Sequence, residues 1–307
     1  MNVLLAIPSR NQNQYLAEQI EAVKNQTVLP CRVLYMADRP TGRDRVEAMR
    51  TIGKDPIIEY YPVTTRPEYV GRPQMTAGEE WFLAGHVRNE AVKYMDSHPE
   101  IDAVVFIDGD CIPEPELIKS HAEVLANNDR PCVTVGKRKE AQFGWDDQRT
   151  DDKNFLDMFR DTPNEIDNET WFVDSGVVWT CNFGMNRNAL SALKHLNKKL
   201  YGREEAFSSD FLGTWGGEDG FIGMECFYTG IPVVALENGD NGIRHIYHKR
   251  TSGKYNHVAF LDYLDEKRRE LMYLLDLYQL NVRGLEYVDR ETMLADFYRA
   301  ELTADKL

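Results

Sequence analysis

Short apolar runs alternate with amphipathic stretches along this chain. Residues 3–7 are uniformly apolar and stop at Pro8-Ser9-Arg10-Asn11, which predicts a buried strand ending in a polar loop. Leu16, Ile20 and Val23 then recur at helical spacing over 15–26, and 31–37 reads as a second strand ending in Asp38. Strand, helix, strand with loops at the strand C-termini opens a parallel α/β sheet. Residues 39–80 are polar and rich in Pro, Gly and Arg, and predict a loop-rich excursion. A helix over 81–94 leads to a strand over 103–107, which runs straight into Asp108-Gly109-Asp110. A helix over 114–127 follows, with Pro115 in its first turn, where proline is tolerated. Strands are predicted over 131–136, 177–185 and 232–236, with helices over 191–200 and 218–229. The stretch 139–170 is acidic with aromatic patches and no period, and reads as a mobile flap or a permanently ordered insertion. From 257 to 280, Phe260, Tyr263, Leu264, Leu271, Leu274, Leu275 and Tyr278 fall at helical spacing, as a helix packed on the domain or in a homodimer. The expected architecture is one α/β domain over 1–256, its sheet mostly parallel and flanked by helices, with a helical C-terminal extension over 257–307.

Composition narrows this picture only modestly. Hydrophobic residues make up 42% and charged residues 28% of 307, ordinary for a globular enzyme. Five cysteines are scattered without a CxxC pair, so reduced thiols in a cytoplasmic protein are expected rather than zinc or a disulfide scaffold. No window approaches the ~20 apolar residues of a membrane span, and the first apolar run lacks the flanks of a signal peptide. A formal charge of −14 repels nucleic acid at long range, although arginines and lysines cluster over 39–72 and 244–254.

The candidate chemistry sits at Asp108 and Asp110. A period of two puts both carboxylates on one side of an extended chain, and Gly109 between them is expected to let a substrate approach. In open α/β sheets the ligand crevice lies off the strand C-termini, where this pair falls. Oxygen ligands suit a hard divalent cation. Such a cation stabilises the charge left on two phosphates when a nucleoside diphosphate sugar is cleaved. Glu218-Asp219 opens a helix after Gly216-Gly217. Asp219 could take the proton of an acceptor hydroxyl, its pKa kept low by the helix terminus, or the pair could be an ordinary acidic first turn. A haloacid-dehalogenase-type phosphatase would carry its Asp pair at the first strand. A nucleotidyltransferase would need glycines where Pro8-Ser9-Arg10-Asn11 stands. A non-catalytic sugar-binding protein would not need these acidic groups.

Four segments resemble glycosyltransferases of the GT-A superfamily, especially inverting family-2 enzymes, with similarity to the β-1,4-galactosyltransferases and the polypeptide GalNAc-transferases. They are AIPSRN at 6–11, AGHVRNEA at 84–91, FIDGDCIPEPELI at 106–118, and CNFGMNRNAL at 181–190 with TWGGEDGFIGMECFYTGIPV at 214–233. The resemblance implies a nucleotide-sugar donor, a UDP-sugar, bound by Pro8, Ser9, Arg10, Asp38, Arg88 and Asp108. Asp38 would read the base or merely cap a turn. Arg88 would neutralise phosphate or pin Asp108, with its neighbour Asn89 bracing the nucleotide, or be a surface arginine. The resemblance implies Asp110 and one of His245 and His248 as ligands of Mn²⁺ (or Mg²⁺), imidazole favouring Mn²⁺. Asp219 would be the general base and Glu218 an acceptor or donor-sugar contact, and Trp215, Gly217 and Asn182 would face the acceptor. Asp at 219, where retaining GalNAc-transferases carry Asn, leans towards inversion. The acceptor stays open between a modified DNA base, a glycan and a small molecule.

Overall fold

The computed structural model describes residues 1–10, 12–65, 83–140, 180–211, 217–236, 241–246 and 257–280. Ten strands and seven α-helices lie in these segments: β1 (Val3–Ser9), α1 (Asn13–Lys24), β2 (Arg32–Asp38), α2 (Gly42–Ile52), β3 (Ile58–Val63), α3 (Ala84–Ser97), β4 (Ala103–Ile107), β5 (Cys111–Pro113), α4 (Leu117–Ala126), β6 (Val133–Val135), β7 (Arg138–Glu140), β8 (Asn182–Asn186), α5 (Arg187–Tyr201), α6 (Glu218–Thr229), β9 (Val233–Ala235), β10 (Ile243–His245) and α7 (His257–Leu277). A seven-stranded sheet runs in the order β3-β2-β1-β4-β8-β6-β9. All its pairings are parallel except those of β8, which runs against both β4 and β6. This is the mostly parallel α/β architecture that the sequence predicts.

The central strands are buried on both faces, which is why their sequences read as unbroken apolar runs. One layer of core joins α3, α5 and α6 to one face through Val87, Ala91, Leu193 and Ile222. The other joins α1, α2 and α4 through Leu16, Val23, Ala48 and Leu117. The chain winds outward from β1 to β3, then α3 carries it back so that β4 pairs on the opposite side of β1. That reversal opens a crevice at the C-terminal ends of β1 and β4, where ligands bind in folds of this kind.

Of the loop-rich excursion predicted over 39–80, the part up to 65 is corrected, since it holds α2 and β3, and 66–80 lie outside the described residues. Thr41 and Asp44 form a reciprocal capping box, and Gly53 ends the helix at φ +66°. Only Ala48 and Ile52 are buried on α2, too few to give a clear period. Pro62 fits inside β3 because β3 is an edge strand. The fourth helix starts later than predicted, at Leu117. Glu114 is drawn instead to the next layer, its Oε2 accepting from the Gly242 amide at 2.8 Å. The apolar stripe of α7 packs within the chain: Tyr263, Leu264, Leu271, Met272 and Leu275 join Leu196, Phe211, Phe221 and Met224. No described helix is long and apolar enough to cross a membrane. All five cysteines are free thiols, Cys31 exposed and the rest buried.

Candidate active site

Three strand ends build the crevice. Ser9 closes β1, with its hydroxyl 2.8 Å from the Tyr35 hydroxyl. Asp38 closes β2 and is almost wholly buried. Arg39 grips both its carboxylate oxygens at 2.9 Å, Arg10 reaches it at 3.5 Å, and the Leu83 amide donates to it at 3.3 Å. Arg39 holds a left-handed backbone at φ +46°, which turns its side chain back onto its neighbour.

Beyond β4 the chain makes a tight turn through Asp108-Gly109-Asp110. The role expected for Gly109 is corrected. A Cβ there would meet Gln12 Oε1 at 2.3 Å and Ser9 Oγ at 2.8 Å, so the glycine admits the β1 loop rather than a substrate. That contact ties the loop to the acidic turn: Gln12 Nε2 donates to Asp110 Oδ2 at 3.0 Å.

A second sheet, β5-β10-β7, begins at Cys111 and crosses the site. His245 is in register with Cys111, and the Ile246 amide donates to the Asp110 carbonyl at 2.8 Å. His245 Nε2 therefore stands 3.6 Å from Asp110 Oδ2. Two ligands of one divalent cation with bonds of about 2.1 Å can stand that far apart, so this oxygen–imidazole pair fits one. No group of three such residues occurs among the described residues, and the remaining positions would fall to donor phosphates or to residues outside them. Arg138, on β7, lies close enough for its charge to act on Asp108.

Arg88 is the hub. It is 2% exposed, on the first turns of α3, and donates to Asp108 Oδ1 at 2.7 Å and Glu218 Oε1 at 2.8 Å. Its guanidinium lies 5.9 Å from the centre of the Phe207 ring. The surface reading of this arginine is thereby excluded, and of the two other roles the pinning of Asp108 is the one seen. Asn89 braces the protein: it accepts from the Ala206 and Phe207 amides and donates to the Phe207 carbonyl.

Gly217 turns the chain into α6 at φ +97°, a conformation L-residues rarely adopt. Glu218 is buried and Asp219 half-buried. Desolvation, with Asp219 adding to it, pushes Glu218 up to about 7 against the pull of Arg88. Desolvation also raises Asp219 from its ordinary value despite Arg88 and nearby amides. The low value expected of a helix first turn is thus corrected, because burial outweighs the helix dipole. Desolvation raises Asp108 in the same direction.

Glu218 binds its proton more tightly folded than unfolded. Its contribution to stability is therefore fully present below pH about 4.5 and lost as the pH rises through about 7. The melting temperature should fall across this window in the wild type and fall less in Glu218→Gln. Equal slopes in scanning calorimetry would refute the assignment.

Asn182, expected on the acceptor side, is turned into the protein. It is 1% exposed, donates to the Lys137 and Asn241 carbonyls, and accepts from His121 at 2.8 Å. Burial holds that histidine neutral, its pKa lowered to about 4. Trp215, His248 and all but the first two residues of 139–170 lie outside the described residues. Gln12, Arg39, Arg138 and Phe207 escape the sequence reading. Gln12 carries a faint signal, a polar residue just past the first strand; the other three carry none, since tertiary pairing brings them in.

No family model matches the chain, and no curated protein matches it. Solved structures do. Staphylococcus aureus TarS 1-349 in complex with UDP-GlcNAc aligns with TM-score 0.58 at 18% identity, over 99% of this chain and 73% of that one. The same protein in complex with UDP gives 0.54 at 17%, over 97% and 71%. A longer TarS structure gives 0.54 at 18%, and there the match spans 98% of this chain but 43% of that one. The likeness is one of fold.

Proposed function

We propose that the chain is a metal-dependent glycosyltransferase moving a sugar from a nucleoside diphosphate donor, a UDP-sugar, to an acceptor hydroxyl with inversion. The observation that carries this reading is the convergence of Asp108 and Glu218 on the buried Arg88, beside Asp110 and His245, at the crevice between β1 and β4. A fold shared over nearly the whole chain with a protein solved holding UDP-GlcNAc supports it.

In this reading Arg10, Asp38 and the strand-end loop of Pro8 and Ser9 receive the nucleoside, and Asp108, held in place by Arg88, meets the ribose. Asp110 and His245 hold Mn²⁺ (or Mg²⁺), with His248 as the other candidate ligand. When bound, the cation supplies Lewis-acid stabilisation to the departing diphosphate. Asp219 accepts the acceptor hydroxyl's proton as that oxygen bonds to the anomeric carbon and the bond to the diphosphate breaks. Desolvation, which raises its pKa, makes its carboxylate a stronger base than an exposed one. Glu218 keeps Arg88 and Asp219 in register, and the left-handed Gly217 lets the chain turn in front of them, with Trp215 on the acceptor side. The acceptor is a modified DNA base, a glycan or a small molecule.

Asp110→Ala tests the metal site. Hydrolysis of UDP-GlcNAc with Mn²⁺ should fall to background while UDP binding loses its dependence on the metal, and circular dichroism should be unchanged. Full turnover in the variant under chelator would refute a metal site at Asp110.

A further inference from the structure

The C-terminal helix does more than cover apolar surface. Its buried face carries several polar contacts: Arg268 donates to the Tyr228 hydroxyl at 3.0 Å, and two others are made to Asp210, in a 3-10 turn over Ser209–Phe211. The Tyr263 hydroxyl donates to the Asp210 carbonyl at 2.7 Å. Lys267 Nζ lies 2.7 Å from Asp210 Oδ2, with both side chains largely buried. From the other side Arg203 donates to Asp210 Oδ1 at 2.8 Å and to the Ser209 hydroxyl at 2.6 Å.

This turn touches the acidic end of α6 by two routes. The Phe211 ring packs 5.1 Å from that of Phe221, two residues past Asp219, and 5.7 Å from that of Tyr263. Upstream, Phe207 lies beneath Arg88, which grips Glu218. An apolar pair between helix and turn would bury surface as well, since a buried ion pair seldom adds net stability over a hydrophobic one. What the ion pair and hydrogen bonds add is direction: they fix where the turn sits.

We infer that α7 is part of the catalytic unit, with Lys267 and Tyr263 as positioning residues that act through Asp210 to set the place of Glu218 and Asp219. The inference rests on the proposed role of Asp219. Among the described residues their polar contacts go to Asp210 and Glu270 and to none of Asp38, Asp108 and Asp110, so donor binding should not depend on them. Turnover should, because an error of about 1 Å in a catalytic group costs roughly 10²-fold.

Tyr263→Phe removes one hydroxyl and no packing; Lys267→Met removes the charge at similar length. The full chain is assayed for kcat of UDP-GlcNAc hydrolysis with Mn²⁺, for the Kd of UDP by calorimetry, and for hydrogen exchange over 218–229. Expected are a kcat lowered roughly 10- to 10²-fold, an unchanged Kd and faster exchange in the first turns of α6. Unchanged kcat in both variants overturns the inference. So does a parallel loss of UDP binding, which would mean general damage. If the wild type itself does not turn over the donor, the proposed function fails for this donor. Exchange then decides alone, and wild-type protection over 218–229 in both variants overturns the inference.

Discussion

Asp219→Asn should lower the rate of sugar transfer by about 10²–10⁴, the usual contribution of a positioned acid or base, with nucleotide affinity unchanged. Asparagine keeps the size and one acceptor oxygen of the side chain, so the bond from the Gly220 amide, 2.8 Å in the native chain, survives. Only the capacity to take a proton is lost. The substitution also relieves the mutual repulsion that helps raise Glu218, so the variant should unfold no more easily than the wild type. Single-turnover kinetics with UDP-GlcNAc read the rate, and calorimetry reads UDP binding. An equal loss in both would place Asp219 in the donor site. A product with retained anomeric configuration by NMR would sink the inverting mechanism.

Arg88→Met should cost about 3–5 kcal/mol of stability at pH 8, the usual penalty for removing one partner from a buried ion pair. Methionine fills the aliphatic volume and still packs on Phe207, so lost packing contributes little. The cost comes from Asp108 and Glu218, whose carboxylates face each other across the space the guanidinium held at 2.7 and 2.8 Å. Both already have pKa values raised by desolvation, and losing the cation raises them further. Protonation then relieves the strain, so the deficit should shrink as the pH falls towards 5. Urea unfolding at pH 8 and pH 5 measures both values. A deficit below about 1 kcal/mol at pH 8, or one that grows in acid, would show that Arg88 is not the counter-charge of this site.

How much of this was legible follows the range of each interaction. Strands β1, β2 and β4 were readable because both their faces are buried, which leaves an unbroken apolar run in the sequence. Helix α6 was readable to the residue because Gly217 and Gly230 punctuate it at both ends with positive φ. Helix α2 was missed because it buries only two residues. Its capping box at Thr41 and Asp44 was the available signal, and an Arg-rich stretch masked it. Strand β3 was missed because Pro62 argues against a strand until its edge position is known.

By itself the sequence determined the fold class, the strand-end carboxylates Asp108 and Asp110, and the acidic helix start at Glu218 and Asp219. Each is a local pattern, set by a backbone period or a turn within a few residues. Only the tertiary structure decided their partners. It spent Gly109 on the β1 loop, turned Asn182 inward and brought His245 up to Asp110 through β10. It also carried Arg88 across 130 positions of sequence to Glu218. The crossover of α3 and the packing of α6 set those meetings, and a chain's periodicity says which face is buried but not what it is buried against.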